Sequence, residues 1–385
     1  MKRLHIVFTG SGSGGHVFPL IAVAQELKKQ AEAFNLPLDM RYFGSERAYA
    51  QDIVDADMDF VPILSSKMRR YASLMNIVDA VKFCLSIPQL LWKLFWFMPD
   101  AVFSKGGPGA LAVVLVSRFY RIPVVIHESD SVPGLTNAIS GKFADKVFLA
   151  FAPAADYFPH ADVEISGNPV RQSLLDQKAS LGGTEDAIRT NARKGFGLDV
   201  SAPTLFVVGG SQGAGKLNDF VLENLDMLLN DVQVIHQVGT RNFAGYEKEY
   251  AFASKDWSDR EKGRYIPKAF FGSDLADAYA AADLIIARAG SGTLFEIAAF
   301  GKPSIIVPLE NSANSHQKKN ARLYEEAGAG IIVTEENLLG SIVADRMKSI
   351  LGDPARFAAM SQAAQSFFRP DAATVIAKHL LTYVR

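Results

Sequence analysis

The sequence predicts an α/β protein with two doubly wound domains, each built on a parallel sheet. Short runs rich in Val, Ile and Phe, such as LHIVF, VVIHE, TLFVV and LIIAR, alternate with helical segments. Apolar runs that are bounded by glycines and separated by helices are typical of buried parallel strands in βαβ units. A chain of 385 residues is also too long for one typical domain, so two are expected.

The pattern of a strand that runs into a glycine loop starts twice, at residues 4 to 15 and again at 204 to 215. Between the two starts lies a polar segment rich in Gly, Asp and Lys. We place the domain boundary shortly before this segment, which predicts domains over 1–165 and 166–367. Two doubly wound domains that face each other would bind ligands at the carboxyl ends of their strands, in the cleft between them.

The composition limits the class of partner and compartment. The 40 Lys and Arg residues balance 41 Asp and Glu residues, and a net charge of -1 argues against general nucleic-acid binding. The single cysteine, Cys84, excludes an intramolecular disulfide and is consistent with a reducing compartment. The N-terminal apolar run is too short for a signal peptide, and no uninterrupted apolar stretch is long enough to span a bilayer.

The first glycine loop, TGSGSGGHVFP, lies between a predicted strand and a predicted helix. Its glycines permit positive φ and close backbone approach, and the free N–H groups at the helix start attract an anion. A tight turn without a ligand is the alternative. Pro19 is expected in the first turn of the helix, where proline is tolerated. His16 at the helix entrance has the chemistry of a general base, although a lone histidine more often caps or packs a helix.

The second glycine loop, GGSQGAGKLND, is close to the phosphate-binding loop of an ATPase. Leu217, however, stands where that pattern needs a Ser or Thr hydroxyl for Mg²⁺. The strand LIIA also lacks a terminal Asp for the metal, since Asp283 precedes it and Arg288 follows it. An ATPase site is therefore rejected, and Lys216 is expected to be a solvated helix residue.

The third glycine loop, ARAGSGTLFEIAAFGKP, predicts a helix that begins near Thr293 and ends before Gly301. Glu296 has two interpretations of equal weight. The spacing Thr293-x-x-Glu296 matches a capping box, which would make Glu296 structural. Alternatively, an acidic residue one turn into such a helix accepts the hydroxyls of a nucleotide ribose.

Two further polar segments are weaker candidates. IHESDSVPGLTN follows a predicted strand, where polar residues suit a site, but a solvated turn is equally expected. NSHQKKN offers Gln317 to a sugar hydroxyl, although an exposed loop is the default interpretation.

Seven segments in order resemble the motifs of the MurG family, and the resemblance covers nearly the whole chain. They are TGSGSGGHVFP, SKGGPGA, VVIHESDSVPGLTN, SGNPVR, GGSQGAGKLN, ARAGSGTLFEIAAFGKPSIIVP and NSHQKKNA. These family members are UDP-N-acetylglucosamine:undecaprenyl-pyrophosphoryl-MurNAc-pentapeptide N-acetylglucosaminyltransferases. The resemblance implies a GT-B fold of two Rossmann-like domains that face each other across a cleft. It also implies inverting transfer of GlcNAc from UDP-GlcNAc to the MurNAc 4-hydroxyl of lipid I, which forms lipid II.

The same resemblance implies a division of labour between the domains. The N-terminal domain would bind the lipid-linked acceptor, the C-terminal domain would bind UDP-GlcNAc, and a C-terminal helix within 368–385 would pack back on the first domain. No cofactor and no metal ion are implied. The location would be peripheral, at the cytoplasmic face of the cell membrane, with cell-wall synthesis or division proteins as further partners.

The family roles fall on the following residues of this sequence. His16 would deprotonate the acceptor 4-hydroxyl. Acceptor binding would fall to Ser13, Gly14, Gly15, His127, Glu128 and Asn137. Donor binding would fall to Arg171, Ser211, Gln212, Phe271, Glu296 and Gln317. Within the donor set, Glu296 would hold the ribose, Gln317 the GlcNAc hydroxyls, and Phe271 with the backbone after it the uracil. Asn168 would lie near the interdomain joint.

A membrane-bound acceptor predicts that the first domain touches lipid. Residues 67 to 98 interleave Lys67, Arg69, Arg70, Lys82 and Lys93 with Leu74, Ile77, Phe83, Leu91, Trp92, Phe95 and Trp96. Basic groups beside aromatic and aliphatic ones suit docking on anionic lipid. A helix that simply belongs to the core is the alternative.

One segment departs from the family pattern. The turn HESDSVPG has Ser129 and Asp130 where the family often has an Asn-containing turn. A carboxylate there would repel an anionic acceptor unless it were paired or protonated. Two rival functions stay open: another GT-B enzyme, such as a glycolipid synthase or a UDP-GlcNAc 2-epimerase, and a non-catalytic module that binds a UDP-sugar.

Overall fold

The computed structural model describes residues 3–10, 14–45, 47–66, 75–210 and 213–384. The chain forms two compact units: Met1–Gln172 together with Arg369–Arg385, and Ser173–Phe368. Each unit is an α/β layer structure on one parallel sheet, so the predicted fold class is confirmed. The first unit extends past strand β7, so that the segment SGNPVR lies within it.

The first unit has a seven-stranded sheet in the order β3-β2-β1-β4-β5-β6-β7, with every neighbouring pair parallel. Its strands are β1 Leu4–Thr9, β2 Leu38–Gly44, β3 Met58–Pro62, β4 Ala101–Ser104, β5 Val124–Glu128, β6 Lys146–Leu149 and β7 Asp162–Ile165. Its first five helices are α1 Gly14–Ala33, α2 Ala50–Asp55, α3 Met75–Phe97, α4 Ala110–Phe119 and α5 Leu135–Ser140.

The second unit has a six-stranded parallel sheet in the order β10-β9-β8-β11-β12-β13. The strands are β8 Thr204–Val208, β9 Gln233–Gln237, β10 Tyr265–Lys268, β11 Leu284–Ala287, β12 Ser304–Ile306 and β13 Ile331–Ile332. The α-helices are α6 Gln172–Ser180, α7 Glu185–Gly195, α8 Gly215–Glu223, α9 Leu225–Asp231, α10 Phe243–Ala253, α11 Asp259–Lys262, α12 Leu275–Ala281, α13 Ser291–Ala299, α14 His316–Glu326, α15 Gly340–Leu351 and α16 Pro354–Phe367.

Each sheet has a point where the chain reverses the direction in which it adds strands. In the first unit this point lies between β1 and β4, and in the second between β8 and β11. Connections leave the sheet toward opposite faces at such a point, which opens a crevice at the carboxyl ends of the strands. The three glycine loops of the sequence all start at these edges, after β1, β8 and β11.

Helix α1 begins earlier than the sequence predicts. It starts at Gly14, so Pro19 is its sixth residue rather than a residue of the first turn. The expectation for Pro19 is therefore wrong. Proline has no N–H, so the bond that residue 19 would make to the carbonyl of Gly15 is lost. The helix continues for 20 residues because one side of it is held in the core.

The last helix of the chain, α17 Ala372–Leu381, belongs to the first unit. Ile376, Ala377 and Leu380 are fully buried in the cluster that also contains Leu20 and Leu27 of α1. The Gln30 side chain of α1 donates a hydrogen bond to the Thr374 carbonyl at 3.2 Å. The end of the chain therefore completes the core of the unit in which the chain began.

We expect Ile376→Ala to lower the free energy of unfolding by about 3 kcal/mol, because it leaves a cavity between α17 and α1. Denaturant unfolding followed by circular dichroism measures this loss. Lys378→Ala, on the exposed side of the same helix, should change stability by less than about 0.5 kcal/mol. Equal stability of the two variants would contradict the structural role of α17.

Candidate active site

The glycine loop after β1 packs closely on the loop after β4. A Cβ at Gly10 would lie 2.8 Å from the Lys105 Cβ, so only glycine permits this approach. Beyond Gly10, Ser13 lies outside the described residues, and α1 begins at Gly14. Gly15 is exposed and His16 is partly exposed, and both stand in the first turn of α1, at the positive end of the helix dipole.

A buried lysine that the sequence analysis missed lies at the switch point of the first unit. Lys105 follows β4 and is 2% exposed. Its Nζ lies 2.6 Å from His127 Nδ1 and donates to Asn168 Oδ1 at 3.4 Å. Burial lowers the pKa of the Lys105 ammonium to about 8, although the charges of Glu128 and Asp130 act in the opposite direction. The segment SKGGPGA carries the only signal, a charged residue directly after a strand.

His127 is fully buried, and both of its ring nitrogens are used within the protein. Nδ1 accepts from the Lys105 ammonium, so the proton stands on Nε2, which donates to the Gly167 carbonyl at 2.9 Å. Burial, and then the charge of Lys105, lower the pKa of His127 well below its ordinary value. The neutral ring therefore joins β5 to the segment after β7 and does not reach a ligand itself.

Glu128 organises the turn that follows β5. Its carboxylate accepts hydrogen bonds from the backbone N–H groups of Asp130 and Gly134, at 2.9 and 3.3 Å, and from Asn137 Nδ2 at 2.9 Å. Burial raises the pKa of Glu128 to about 7, and the charge of Asp130 adds to this shift. Glu128 and Asn137 are both at least 96% buried, so they support the turn from its buried side.

Arg171 is part of the first unit, although the sequence resemblance assigns it to donor binding. Its guanidinium carbon lies 4.7 Å from the centre of the Phe18 ring of α1, a cation–π distance. Asn168, in the same segment, is 1% exposed and accepts from Lys105. The SGNPVR segment thus contacts helix α1 through Arg171 and the residue after β4, Lys105, through Asn168.

The second unit has a pocket of about 540 Å³ at the carboxyl edge of its sheet. The pocket is lined by residues at the starts of helices α8 and α13, together with Leu309, Asn311 and Gln317. Gly213 has a φ of +79°, and a Cβ there would collide with the Val238 carbonyl oxygen, so glycine is required. Two helix N-termini beside glycine loops offer unpaired backbone N–H groups to an anion.

The pocket also contains three charged side chains. Arg288 Nη1 lies 2.7 Å from Glu335 Oε1, and Lys216 Nζ donates to Glu335 Oε2 at 2.8 Å. The expectation that Lys216 is merely solvated is incomplete, since this lysine is paired and lines the pocket. Leu217 beside it is fully buried in the core, which agrees with rejection of an ATPase site.

Glu296 is not part of a capping box. Helix α13 begins at Ser291 with Gly290 as its N-cap and without a side-chain capping bond, so Thr293 lies inside the helix. The capping interpretation is therefore wrong. Instead, the Tyr279 hydroxyl donates to Glu296 Oε2 at 3.1 Å, and the carboxylate is partly exposed. A carboxylate oriented in this way has the chemistry to accept hydroxyl hydrogen bonds.

The other predicted donor residues are placed as follows. The Phe271 ring is fully buried and packs edge-on against Phe196 and Phe206, so only the backbone near residue 271 is available to a ligand. Gln317 lines the pocket, and its Oε1 accepts from the Leu309 N–H at 3.0 Å, which fixes the orientation of its amide. Ser211 and Gln212 lie outside the described residues.

Helix α3 carries an exposed apolar surface on the first unit. Leu90, Leu94 and Phe97 on one side are buried in the core. The other side exposes large apolar groups. Together with Phe119 of α4 they form what we call the α3 surface, whose α3 members are Met75, Ile77, Val78, Val81, Leu85, Trp92, Phe95 and Trp96. Lys82, Arg118 and Arg121 are exposed nearby along α3 and at the end of α4. Of the predicted residues, Lys67, Arg69, Arg70 and Leu74 lie outside the described part, and Lys93 donates to the Pro62 carbonyl at 3.0 Å.

No helix among the described residues is long and apolar enough to cross a membrane. No group of three or more His, Cys, Asp or Glu side chains in the same residues could hold a metal ion.

Both units match domains of a known protein family. Residues 6–149 match the model of the glycosyltransferase family 28 N-terminal domain, and residues 204–376 match that of the family 28 C-terminal domain. The UDP-N-acetylglucosamine--N-acetylmuramyl-(pentapeptide) pyrophosphoryl-undecaprenol N-acetylglucosamine transferase of Legionella pneumophila is 35% identical over 352 residues, 90% of this chain and 88% of the relative. The protein of the same name from Halalkalibacterium halodurans is 32% identical over 372 residues, 96% and 97% of the two chains.

Solved structures agree with the sequence relatives. MurG of Acinetobacter baumannii superposes with a TM-score of 0.70 at 25% identity, over 98% of this chain and 99% of that one. The UDP-GlcNAc 2-epimerase of Neisseria meningitidis reaches a TM-score of 0.69 over 99% and 100% of the two chains, but at 14% identity this likeness shows the fold alone. The predicted GT-B fold and the resemblance to the MurG family are confirmed. The chain belongs to glycosyltransferase family 28.

Proposed function

We propose that this chain transfers GlcNAc from UDP-GlcNAc to the MurNAc 4-hydroxyl of lipid I, with inversion, to form the lipid II of peptidoglycan. The observation that carries the proposal is the shared name of its relatives, which are 31–35% identical to the chain over at least 88% of their length. The two anion-attracting crevices suit the two diphosphates of this reaction, one on the nucleotide sugar and one on the lipid-linked acceptor.

The second unit is the donor unit of this proposal. The starts of α8 and α13 and the cations Lys216 and Arg288 would receive the diphosphate in the 540 Å³ pocket. Glu296 would accept hydrogen bonds from the ribose hydroxyls, and Gln317 would face the GlcNAc hydroxyls. Phe271 supports the uracil only through the backbone near it. Arg171, Ser211 and Gln212 are donor residues that the sequence resemblance alone predicts.

The first unit is the acceptor unit. Ser13, Gly14 and Gly15 would hold the acceptor diphosphate at the start of α1, where N–H groups and the helix dipole favour an anion. His127, Glu128 and Asn137 would act on the acceptor indirectly, because they hold the turn after β5 from below. Burial raises the pKa of Glu128, and the charge of Asp130 raises it further. The departure from the family turn at Asp130 therefore favours the protonated form of the Glu128 carboxyl group.

The chemistry follows from these placements. His16 would take the proton of the acceptor hydroxyl as its oxygen attacks the anomeric carbon and UDP leaves from the opposite face. Negative charge grows on the diphosphate in this transition state. Fixed N–H groups and cations stabilise such a charge more than they stabilise the ground state, and this difference accelerates the reaction.

The α3 surface is the proposed membrane contact of a peripheral protein at the cytoplasmic face. Trp92 and Trp96 are 66% and 68% exposed, with ring centres 5.5 Å apart. Aromatic rings beside basic side chains are typical of surfaces that insert into the headgroup region of anionic bilayers. A lipid-linked acceptor would be reached from such a surface. We also propose cell-wall synthesis or division proteins as further partners.

Two rival functions make different predictions. Another GT-B glycosyltransferase would use UDP-GlcNAc with a different acceptor, and a non-catalytic module would bind the nucleotide sugar without transfer. His16 at the start of α1 favours catalysis over binding alone, because an imidazole there can accept the proton of a bound hydroxyl.

We expect purified protein to transfer GlcNAc from UDP-GlcNAc to a lipid I analogue, measured with radiolabelled donor. His16→Ala should lower kcat by at least about 100-fold because the general base is lost, while donor affinity changes by less than about two-fold. His160→Ala, an exposed histidine of the same unit, is the control and should retain activity. No transfer by the wild type with UDP-GlcNAc still bound would support the binding module instead.

We expect the triple variant Trp92→Ser, Phe95→Ser and Trp96→Ser to bind anionic phosphatidylglycerol vesicles about ten-fold more weakly, because the inserting apolar area is lost. Co-sedimentation with the vesicles measures the change. Phe252→Ser is the matched control, since Phe252 is 75% exposed on α10 of the second unit. Undiminished binding of the triple variant would show that the α3 surface does not contact lipid.

Protonated Glu128 stabilises the folded wild type. We expect this stabilisation to be complete below about pH 4.5 and to be lost as the pH rises to about 7. The reason is that the folded pKa, about 7, is higher than the ordinary value of 4.5. Relative to Glu128→Gln, wild type should therefore lose about 2 kcal/mol of unfolding free energy between pH 5 and 7. Denaturant unfolding at several pH values measures this difference. Glu32→Gln, on the exposed side of α1, should run parallel to wild type, and a parallel Glu128→Gln curve would refute the shift.

A further inference from the structure

Glu335 lies between two cations in the wall of the second-unit pocket. Its Oε1 is 2.7 Å from Arg288 Nη1, and its Oε2 accepts a hydrogen bond from Lys216 Nζ at 2.8 Å. One carboxylate thus bridges two cations and uses a different oxygen for each. The Glu335 and Arg288 side chains are only 3% and 10% exposed, so water screens the Arg288 half of the bridge less than the Lys216 half.

The three residues come from three separate connections at the same edge of the sheet. Lys216 is the second residue of α8, Arg288 directly follows β11, and Glu335 begins a 3₁₀ turn after β13. Because the sheet order is β8-β11-β12-β13, the bridge spans four strands. The loops that surround the pocket are therefore joined to each other through this carboxylate.

The bridge also fixes where the cations stand. The Lys216 side chain is 64% exposed, and a lysine released from its partner would sample many rotamers in water. Arg288 is only 10% exposed and donates to the Val307 carbonyl at 3.2 Å, so it is more strongly held. Burial favours the neutral form of Glu335, but Lys216 and Arg288 outweigh it and hold its pKa below the ordinary value, so the carboxylate is charged at neutral pH.

We propose that Glu335 is a positioning residue for the nucleotide-sugar donor, because it holds Lys216 and Arg288 at the pocket wall where their charges meet the diphosphate. The inference rests on the proposed function, which puts the donor diphosphate in this pocket. A cation that is already ordered does not have to lose its rotamer freedom when the ligand binds. Glu335 therefore strengthens diphosphate binding, although it carries the same sign of charge as the ligand.

The variant Glu335→Gln separates positioning from a simple charge effect, because the two predict opposite signs. Glutamine has nearly the shape of glutamate but removes one negative charge from the pocket. If only this charge mattered, UDP would bind more tightly to the variant. If the carboxylate positions the cations, UDP binds more weakly. We expect affinity for UDP about 5- to 10-fold below that of the wild type.

The experiment is isothermal titration of the full chain with UDP and with uridine, which lacks the diphosphate. Glu335→Gln and Lys216→Met should each weaken UDP binding and leave uridine binding unchanged. In the Lys216→Met background, Glu335→Gln should have a smaller effect, since the two residues act as a pair. Glu336→Gln, the exposed neighbour in the same turn, should bind UDP as the wild type does.

Three outcomes would overturn the inference, and they differ in what else they change. If the wild type binds UDP and Glu335→Gln binds it equally or more tightly, Glu335 has no positioning role. The proposed function is then unaffected. Equal losses of UDP and uridine binding would show general distortion of the pocket rather than loss of cation positioning. A wild type that binds neither UDP nor UDP-GlcNAc would overturn the proposed function and this inference together.

Discussion

The carboxyl edges of the two parallel sheets constrain everything else in this chain. Parallel strands all end at one edge, and every following helix starts there with unpaired N–H groups and the positive end of its dipole. At the switch points between β1 and β4 and between β8 and β11, the loops separate and leave a crevice. Both units can therefore attract an anion through their backbones, and their side chains decide which ligand each one takes.

Charged side chains are added to these crevices in two different ways. In the first unit, Lys105 and Glu128 lie among His127, Asn137 and Asn168, where they support the loops and are only 2% and 3% exposed. A buried charge costs several kcal/mol unless partners satisfy it. Here the Lys105 ammonium has His127 Nδ1 and Asn168 Oδ1 as partners, and the Glu128 carboxylate accepts a hydrogen bond from Asn137 Nδ2. In the second unit, Lys216 and Arg288 stand in the pocket itself, held by Glu335.

Sequence reasoning succeeded where the signal is local. A strand followed by glycines and a helix is a short-range pattern, and it located the three loops and both sheets. It was less successful where helix bounds mattered: α1 begins at Gly14 and α13 at Ser291, so the expectations for Pro19 and for a Thr293 cap were wrong. Helix starts depend on which backbone groups the rest of the protein satisfies, and neighbouring residues alone do not reveal that.

The sequence by itself determined the fold class, the order of the motifs and the family, because periodicity and motif spacing are written along the chain. The tertiary structure decided which polar residues share a site. Lys105 meets His127 across 22 residues, and Lys216 meets Glu335 across 119. It also decided that the Phe271 ring is buried and that α3 exposes an apolar surface. Burial and long-range pairing result from how the layers pack, and a linear pattern carries no record of that packing.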